Sequence, residues 1–319
     1  LRSKALCYTD CMSVRSLLQA PLRWWRDPTI KRTIVVAVLL LTLLLFVAYF
    51  KQHPAYWREL GSISPWTIVW VLLLNVLMVV VLTLLGLATI ALCGRAIGLK
   101  ENFLLTAYSS IANFFGPLQS GPGVRAAYLK TRHQVRLRDY TLASLLVLGF
   151  YAFFSALFLL VGTRPWWQTV LALLLVGGFS IFVMRIFLRR DKHREDSRFA
   201  LRPKVLATIV FLTFIQVFIT IGWYYVELKA VNPHVHFSQA MSYAGAANFS
   251  LFVSITPDAV GIREAFLVFS QHIHHVSTGD IIAANVIDRA VYVVFLGLLF
   301  VMVLGMHAKD KLQIKKGSL

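Results

Sequence analysis

Long apolar runs alternate with short basic segments along most of the chain. A helix crosses a bilayer with about 20 consecutive apolar residues. On that scale the pattern predicts six crossings, at 34–50, 66–92, 141–161, 166–188, 205–226 and 281–305. Two further stretches are apolar but interrupted. One lies between the second and third crossings, the other between the fifth and the last. Each carries Gly, Pro and charged residues where an ordinary crossing would carry none.

These two stretches are copies of each other. Residues 107–129 read AYSSIANFFGPLQSGPGVRAAYL, and residues 242–269 read SYAGAANFSLFVSITPDAVGIREAFLVF. Tyr108 aligns with Tyr243, Asn113 with Asn248 and Phe114 with Phe249. After a length difference the match resumes, setting Gly123, Arg125 and Leu129 against Gly261, Arg263 and Leu267. Paired apolar segments broken by Gly and Pro point to the substrate site of a repeat-built transporter. Pro117, Gly121, Gly123, Pro257 and Gly261 are the expected hinge positions.

Charge placement orients the crossings. The basic segments are 1–33, 93–101, 130–138, 189–204 and 306–319. The first holds seven Lys or Arg beside Trp24–Trp25, and 189–204 holds seven more. Cytoplasmic loops carry the Lys/Arg excess. If all five segments are cytoplasmic, each copy enters and leaves on one side, the two on opposite sides. Three crossings separate the copies, an odd number, so the second is inverted. The expected fold is therefore an all-α polytopic membrane protein. It has about six transmembrane helices plus two re-entrant helical hairpins in an inverted repeat. Two ordinary short crossings per copy would give the same sidedness. The expected divisions are a cytoplasmic basic segment (1–33), a transmembrane domain (34–305) and a cytoplasmic basic tail (306–319).

Composition agrees. Of 319 residues, 58% are hydrophobic and 14% charged, against about a quarter charged in a soluble protein. The net charge of +18 resides in loops beside apolar runs, so it does not indicate nucleic acid. Cys7, Cys11 and Cys93 are too few and too scattered for a disulfide framework. No cleavable signal sequence is evident.

Ionisable groups inside membrane segments are costly and are functional candidates by default. Arg125 and Arg263 occupy matching positions, and a guanidinium fork grips phosphate bidentately. The alternative for each is a structural ion pair or a side chain that reaches the interface. Glu264 and Asp258 are candidate partners for Arg263. Asp288 and Arg289 lie near mid-depth of the last crossing, and adjacent helix positions do not face each other. Asp288 is thus expected to pair with another arginine and Arg289 with a carboxylate such as Glu264. Asn113 and Asn248 either bind substrate and unwound backbone or serve as packing amides. His234, His236, His272, His274 and His275 read as loop polar groups, and no metal site or cofactor is expected. No nucleophile elbow, zinc-helix pattern or phosphate-binding Gly-rich loop is found, so no catalytic residue is assigned.

At Pro257, Gly261, Arg263, Glu264 and Arg289 the sequence resembles the flippase-like family. This is the membrane region of lysylphosphatidylglycerol synthase/flippase proteins and their stand-alone relatives. The family's first half has a Gly–acid–x–x–Arg motif. Here Gly121 is followed by Pro122 rather than an acid, while Arg125 remains. The resemblance implies a multi-pass protein of the bacterial inner (cytoplasmic) membrane with both termini cytoplasmic. It implies a translocase moving an anionic phospholipid or a lipid-linked substrate between leaflets. A lipid-synthesising enzyme is an implied partner, nucleic acid is not, and a homo-oligomer stays open. No soluble aminoacyl-transferase domain follows residue 305, so only the translocating half is resembled. Two rival readings are an integral-membrane lipid-modifying enzyme, using Asp258, Glu264 or Asp288 as acid or base, and a lipid-binding scaffold for a phospholipid synthase.

Overall fold

A computed structural model describes residues 63–115, 120–160, 201–253 and 262–316, with a few single positions outside these ranges. The chain divides into two compact units, Leu1–Pro54 and Ala55–Leu319. Among the described residues the regular elements are all helices, and those with defined bounds lie in the second unit. They are α1 (Pro65–Leu92), α2 (Leu99–Phe115), α3 (Ser120–His133), α4 (Leu137–Leu160) and α5 (Pro203–Val231). After them come α6 (Phe237–Val253), α7 (Ile262–Phe269), α8 (Gln271–His274) and α9 (Thr278–Lys316).

Four of these, α1, α4, α5 and the Thr278–His307 part of α9, are long and apolar enough to cross a membrane. They correspond to the second, third, fifth and last expected crossings. The expected first and fourth crossings lie outside the described residues, single positions aside. The protein is an α-helical, multi-pass membrane protein. Helix α1 illustrates why lipid is its solvent. Trp66, Val69, Trp70, Leu73, Val76, Leu77, Val80 and Leu84 are exposed at helical spacing. A helix apolar on all faces is stable only in a core or a bilayer. Its polar residues turn inward onto their own backbone. Asn75 Nδ2 donates to the Val71 carbonyl at 2.9 Å, and Thr83 and Thr89 hydroxyls donate to the carbonyls four residues back. That satisfies side chains which lipid cannot.

In each sequence copy the described residues form a leading helix and a following helix. The leading helices, α2 and α6, are both 17 residues long. In the first copy the chain is helical again from Ser120. Gly121 and Gly123, expected as hinges, therefore lie in the first turn of α3. Pro122 is tolerated there because the first-turn N–H groups have no helical acceptor in any case. Pro117, Pro257, Asp258 and Gly261 lie outside the described residues. Gly121 serves close approach: a Cβ there would fall 2.5 Å from both Asn113 Oδ1 and the Ser109 carbonyl of α2. Gly245 does the same in the second copy, where a Cβ would meet the Leu159 backbone nitrogen of α4 at 2.5 Å.

The packing repeats as well. Helix α1 packs on α5, α2 on α3, α1 and α9, and α6 on α7, α5 and α4. Both α4 and α9 pack on α1 and on α5. Exchange α1 with α5, α2 with α6, α3 with α7 and α4 with α9. Every closely packed pair not involving α8 then maps onto another closely packed pair, and α1–α5 maps onto itself. The duplication seen in the sequence is thus carried into the tertiary contacts.

Candidate functional site

Arg263 and Glu264 of the second copy meet charged residues of α9 beside α5. Arg263 Nη2 of α7 lies 2.5 Å from Asp288 Oδ2 of α9, and both side chains are buried. Arg289 Nη2 lies 2.5 Å from Glu264 Oε1. Two consecutive residues of α7, plus then minus, thus meet two consecutive residues of α9, minus then plus. The expected Arg289–Glu264 pair is present. Asp288 thus pairs with an arginine other than Arg289, as expected, and the candidate partner Asp258 lies outside the described residues. Adjacent helix positions point about 100° apart, so Arg263 and Glu264 each reach a different residue of the opposing helix. A buried pair with both members present is tolerated, while one with a member missing is not.

Helix α5 closes this cluster with two residues that the sequence reading passed over. Tyr224 OH accepts a long hydrogen bond, 3.4 Å, from Arg263 Nη1. Glu227 is fully buried. Its Oε1 accepts from the Trp223 indole, and its Oε2 has no hydrogen-bond partner among the described residues. Asp288 and Arg263 are its charged neighbours. The signal was a single carboxylate at the end of an apolar run, one residue past the expected end of the fifth crossing. Behind it, Tyr243 packs edge-on against Tyr224 at 5.3 Å and accepts from Asn285 Nδ2 at 3.1 Å. Asn248, buried on α6, donates to the Thr220 hydroxyl at 3.3 Å. It acts there as a helix-packing amide between α6 and α5.

The first copy builds a different site. Arg125 of α3 donates through Nη2 to the Thr106 hydroxyl of α2 at 2.7 Å. Its Nη1 occupies the notch left by Gly86 of α1, where a Cβ would come within 2.8 Å. Asn102 lines the same notch and donates to the Thr83 carbonyl at 2.5 Å. Asn113 accepts the Gly121 backbone N–H at 2.6 Å and so ties the tip of the hairpin together. Residues brought together here are Arg125, Thr106, Asn102 and Gly86; Asn113 sits apart, nearer the tip.

At the open end of this hairpin, Glu101 Oε1 accepts from Tyr128 OH at 2.5 Å and lies 2.7 Å from His133 Nε2. Burial works to raise the Glu101 carboxyl, but these two hydrogen bonds and the nearby His133 and Arg132 charges outweigh it, and the net direction is down. Burial and the carboxylate together push the Tyr128 phenol up to about 12. Neither Tyr128 nor His133 was singled out as a site residue in sequence.

The two arginines lean on corresponding stretches of α1 and α5. Gly86 lies six residues before the end of α1 at Leu92, and Tyr224 lies seven before the end of α5 at Val231. At 1.5 Å per residue each guanidinium is about 10 Å in from the end of the helix it leans on.

Among the described residues no cluster of His, Cys, Asp and Glu has the makings of a metal site. Residues 34–299 match the family model described as the lysylphosphatidylglycerol synthase TM region. No curated protein matches the chain.

Proposed function

The chain belongs to the family of the lysylphosphatidylglycerol synthase TM region, and from that membership we propose that it is a lipid translocase. Its substrate is a phospholipid or lipid-linked molecule with an anionic head, moved between leaflets of the bacterial inner membrane. In this reading the helix pairs α2–α3 and α6–α7 are re-entrant hairpins, inverted with respect to each other, within six crossings. Each delivers a guanidinium to the edge of a cavity open to one leaflet. Alternating exposure of the two cavities passes the headgroup across while the acyl chains stay in lipid. Non-helical backbone at membrane depth is acceptable where it lines such a cavity. Arg125 and Arg263 supply charge to the phosphate, and the Asp288 and Glu264 carboxylates supply the counter-charge that lets it leave.

The observation that carries the reading is the placement of Arg125 and Arg263, at aligned positions and about 10 Å in from opposite-half helix ends. The exchangeable packing of the two halves supports it. An ionisable residue held inside a membrane segment, twice at one position, is the mark of a substrate path. The test is reconstitution of the purified chain in liposomes with a labelled anionic phospholipid. The wild type should equilibrate the label between leaflets without changing its mass, and Arg125→Ala and Arg263→Ala should slow that exchange. Normally folded variants that keep the full rate would overturn the proposal. A covalently altered lipid would favour the lipid-modifying enzyme instead.

A further inference from the structure

The two arginines match in position but not in charge environment. Arg263 faces Asp288 at 2.5 Å. Among the described residues no carboxylate pairs with Arg125; its one hydrogen bond goes to the neutral Thr106 hydroxyl. The difference can be traced along the repeat. Helices α4 and α9 are counterparts, and aligning their first residues, Leu137 and Thr278, sets Asp139 against Asp280. The same register sets Val147–Leu148 against Asp288–Arg289. The half that holds Arg125 therefore has apolar residues where the other half has an ion-pairing acid.

The remaining elements around Arg125 do not supply one. Helix α1 contains no ionisable residue. Glu101 of α2 is engaged by Tyr128 and His133, and its charged neighbours are His133 and Arg132. What α4 presents is the phenol of Tyr140, itself hydrogen-bonded to Ser144. Arg125 is half-buried. A guanidinium carries five donors in a fixed fork and keeps its charge. Partly buried among neutral groups, it leaves a positive charge for an external anion to meet.

We propose that Arg125 is the anion-binding position of the resting protein, taking one phosphate-type anion, whereas Arg263 is occupied by Asp288 and takes none until that pair opens. This rests on reading the site as one for lipid headgroups and adds to it which arginine binds first and with what stoichiometry. The occupant is a phosphodiester or phosphate oxygen pair, gripped bidentately by Arg125 beside the Thr106 hydroxyl.

The experiment counts lipids retained by the full chain in detergent, by native mass spectrometry, with phosphatidylglycerol or phosphatidylcholine added. The wild type should retain one phosphatidylglycerol in preference to phosphatidylcholine. Arg125→Gln should weaken that binding on the order of tenfold or more, as loss of a charged hydrogen-bonding partner does. Ser144→Asp, which places a carboxylate beside Tyr140 on α4, should weaken it equally and tests the idea if Arg125→Gln does not fold. Arg132→Gln, an exposed basic residue, should leave it intact. Inorganic phosphate that displaces the lipid marks a site for the anion alone, and failure to displace it marks a site for the whole headgroup; both support Arg125 as the anion position. Undiminished selective binding in folded Arg125→Gln or Ser144→Asp would overturn the inference. A chain that binds through Arg125 yet moves no lipid between leaflets would overturn the translocase reading and leave this one standing.

Discussion

Arg263 and Asp288 are held 2.5 Å apart by α7 and α9, and the residues next to them in sequence, Glu264 and Arg289, are also 2.5 Å apart with the polarity reversed. The two pairs fix both the register and the rotation of α7 against α9. A one-residue slip would set like charges against each other, so the arrangement favours one docking of the short helix.

Removing one member of the inner pair leaves a buried charge alone. Arg263→Met or Asp288→Asn is expected to destabilise the protein by about 3–5 kcal/mol. The double variant Arg263→Met/Asp288→Leu should recover most of that. Thermal unfolding in detergent, arranged as a double-mutant cycle, measures it. Additive single losses would show that the two side chains do not depend on each other.

Close backbone approach makes the glycines unequal. A Cβ at Gly245 would press on the Leu159 main chain, which cannot move aside as a side chain can, whereas a Cβ at Gly123 meets nothing within 4 Å. Gly245→Ala should cost about 1–3 kcal/mol. Gly123→Ala should be neutral or slightly stabilising, by roughly 0.5–1 kcal/mol of helix propensity. Melting temperatures of the two variants should therefore move apart.

The clasp of Glu101, Tyr128 and His133 has limits on both sides of neutral pH. Glu101 is held below its usual value, so its contribution is full above the unfolded glutamate value and fades as pH falls through the lower folded one. Tyr128 is pushed up to about 12, so its contribution is full below the unfolded tyrosine value and fades as pH rises through about 12. Because the pair is partly exposed, its size is below about 1 kcal/mol. Unfolding followed across pH should show an acid limb that disappears in Glu101→Gln and an alkaline limb that disappears in Tyr128→Phe.

Cys93 should be a silent thiol. Burial, then the nearby Asp139 charge, pushes it up to about 12. It remains protonated at neutral pH, and the thiolate is the reactive form. In a Cys7→Ser/Cys11→Ser background, maleimide should label the folded protein very slowly and the unfolded protein at once. Rapid labelling of the folded chain would contradict the buried placement.

Hydropathy alone was enough to find the four described crossings, because a long apolar run has few other stable states. The duplication was legible for a similar reason: aligned Asn and Arg residues in apolar surroundings are conspicuous. The expected pairing of Arg289 with Glu264 followed from helix geometry. So did the pairing of Asp288 with an arginine other than Arg289; that this arginine is Arg263 depends on the docking of α7 on α9. Glu227 was hidden by a boundary at 226, where α5 runs on to Val231. Arg125 looked equivalent to Arg263 in sequence, and its different surroundings emerged only when α4 and α9 could be laid side by side. Gly121 and Gly123 read as hinge points, and contact between the hairpin arms gives Gly121 the further task of leaving space.

Helix α9 runs unbroken for 39 residues from Thr278 to Lys316, a rod of about 58 Å at 1.5 Å per residue, nearly twice the roughly 30 Å hydrocarbon thickness. It carries Asp288 and Arg289 near one end and runs on into the basic tail at the other. Leverage follows from that. Tilting its C-terminal end as a rigid rod would turn the anchor points of both ion pairs through the same angle.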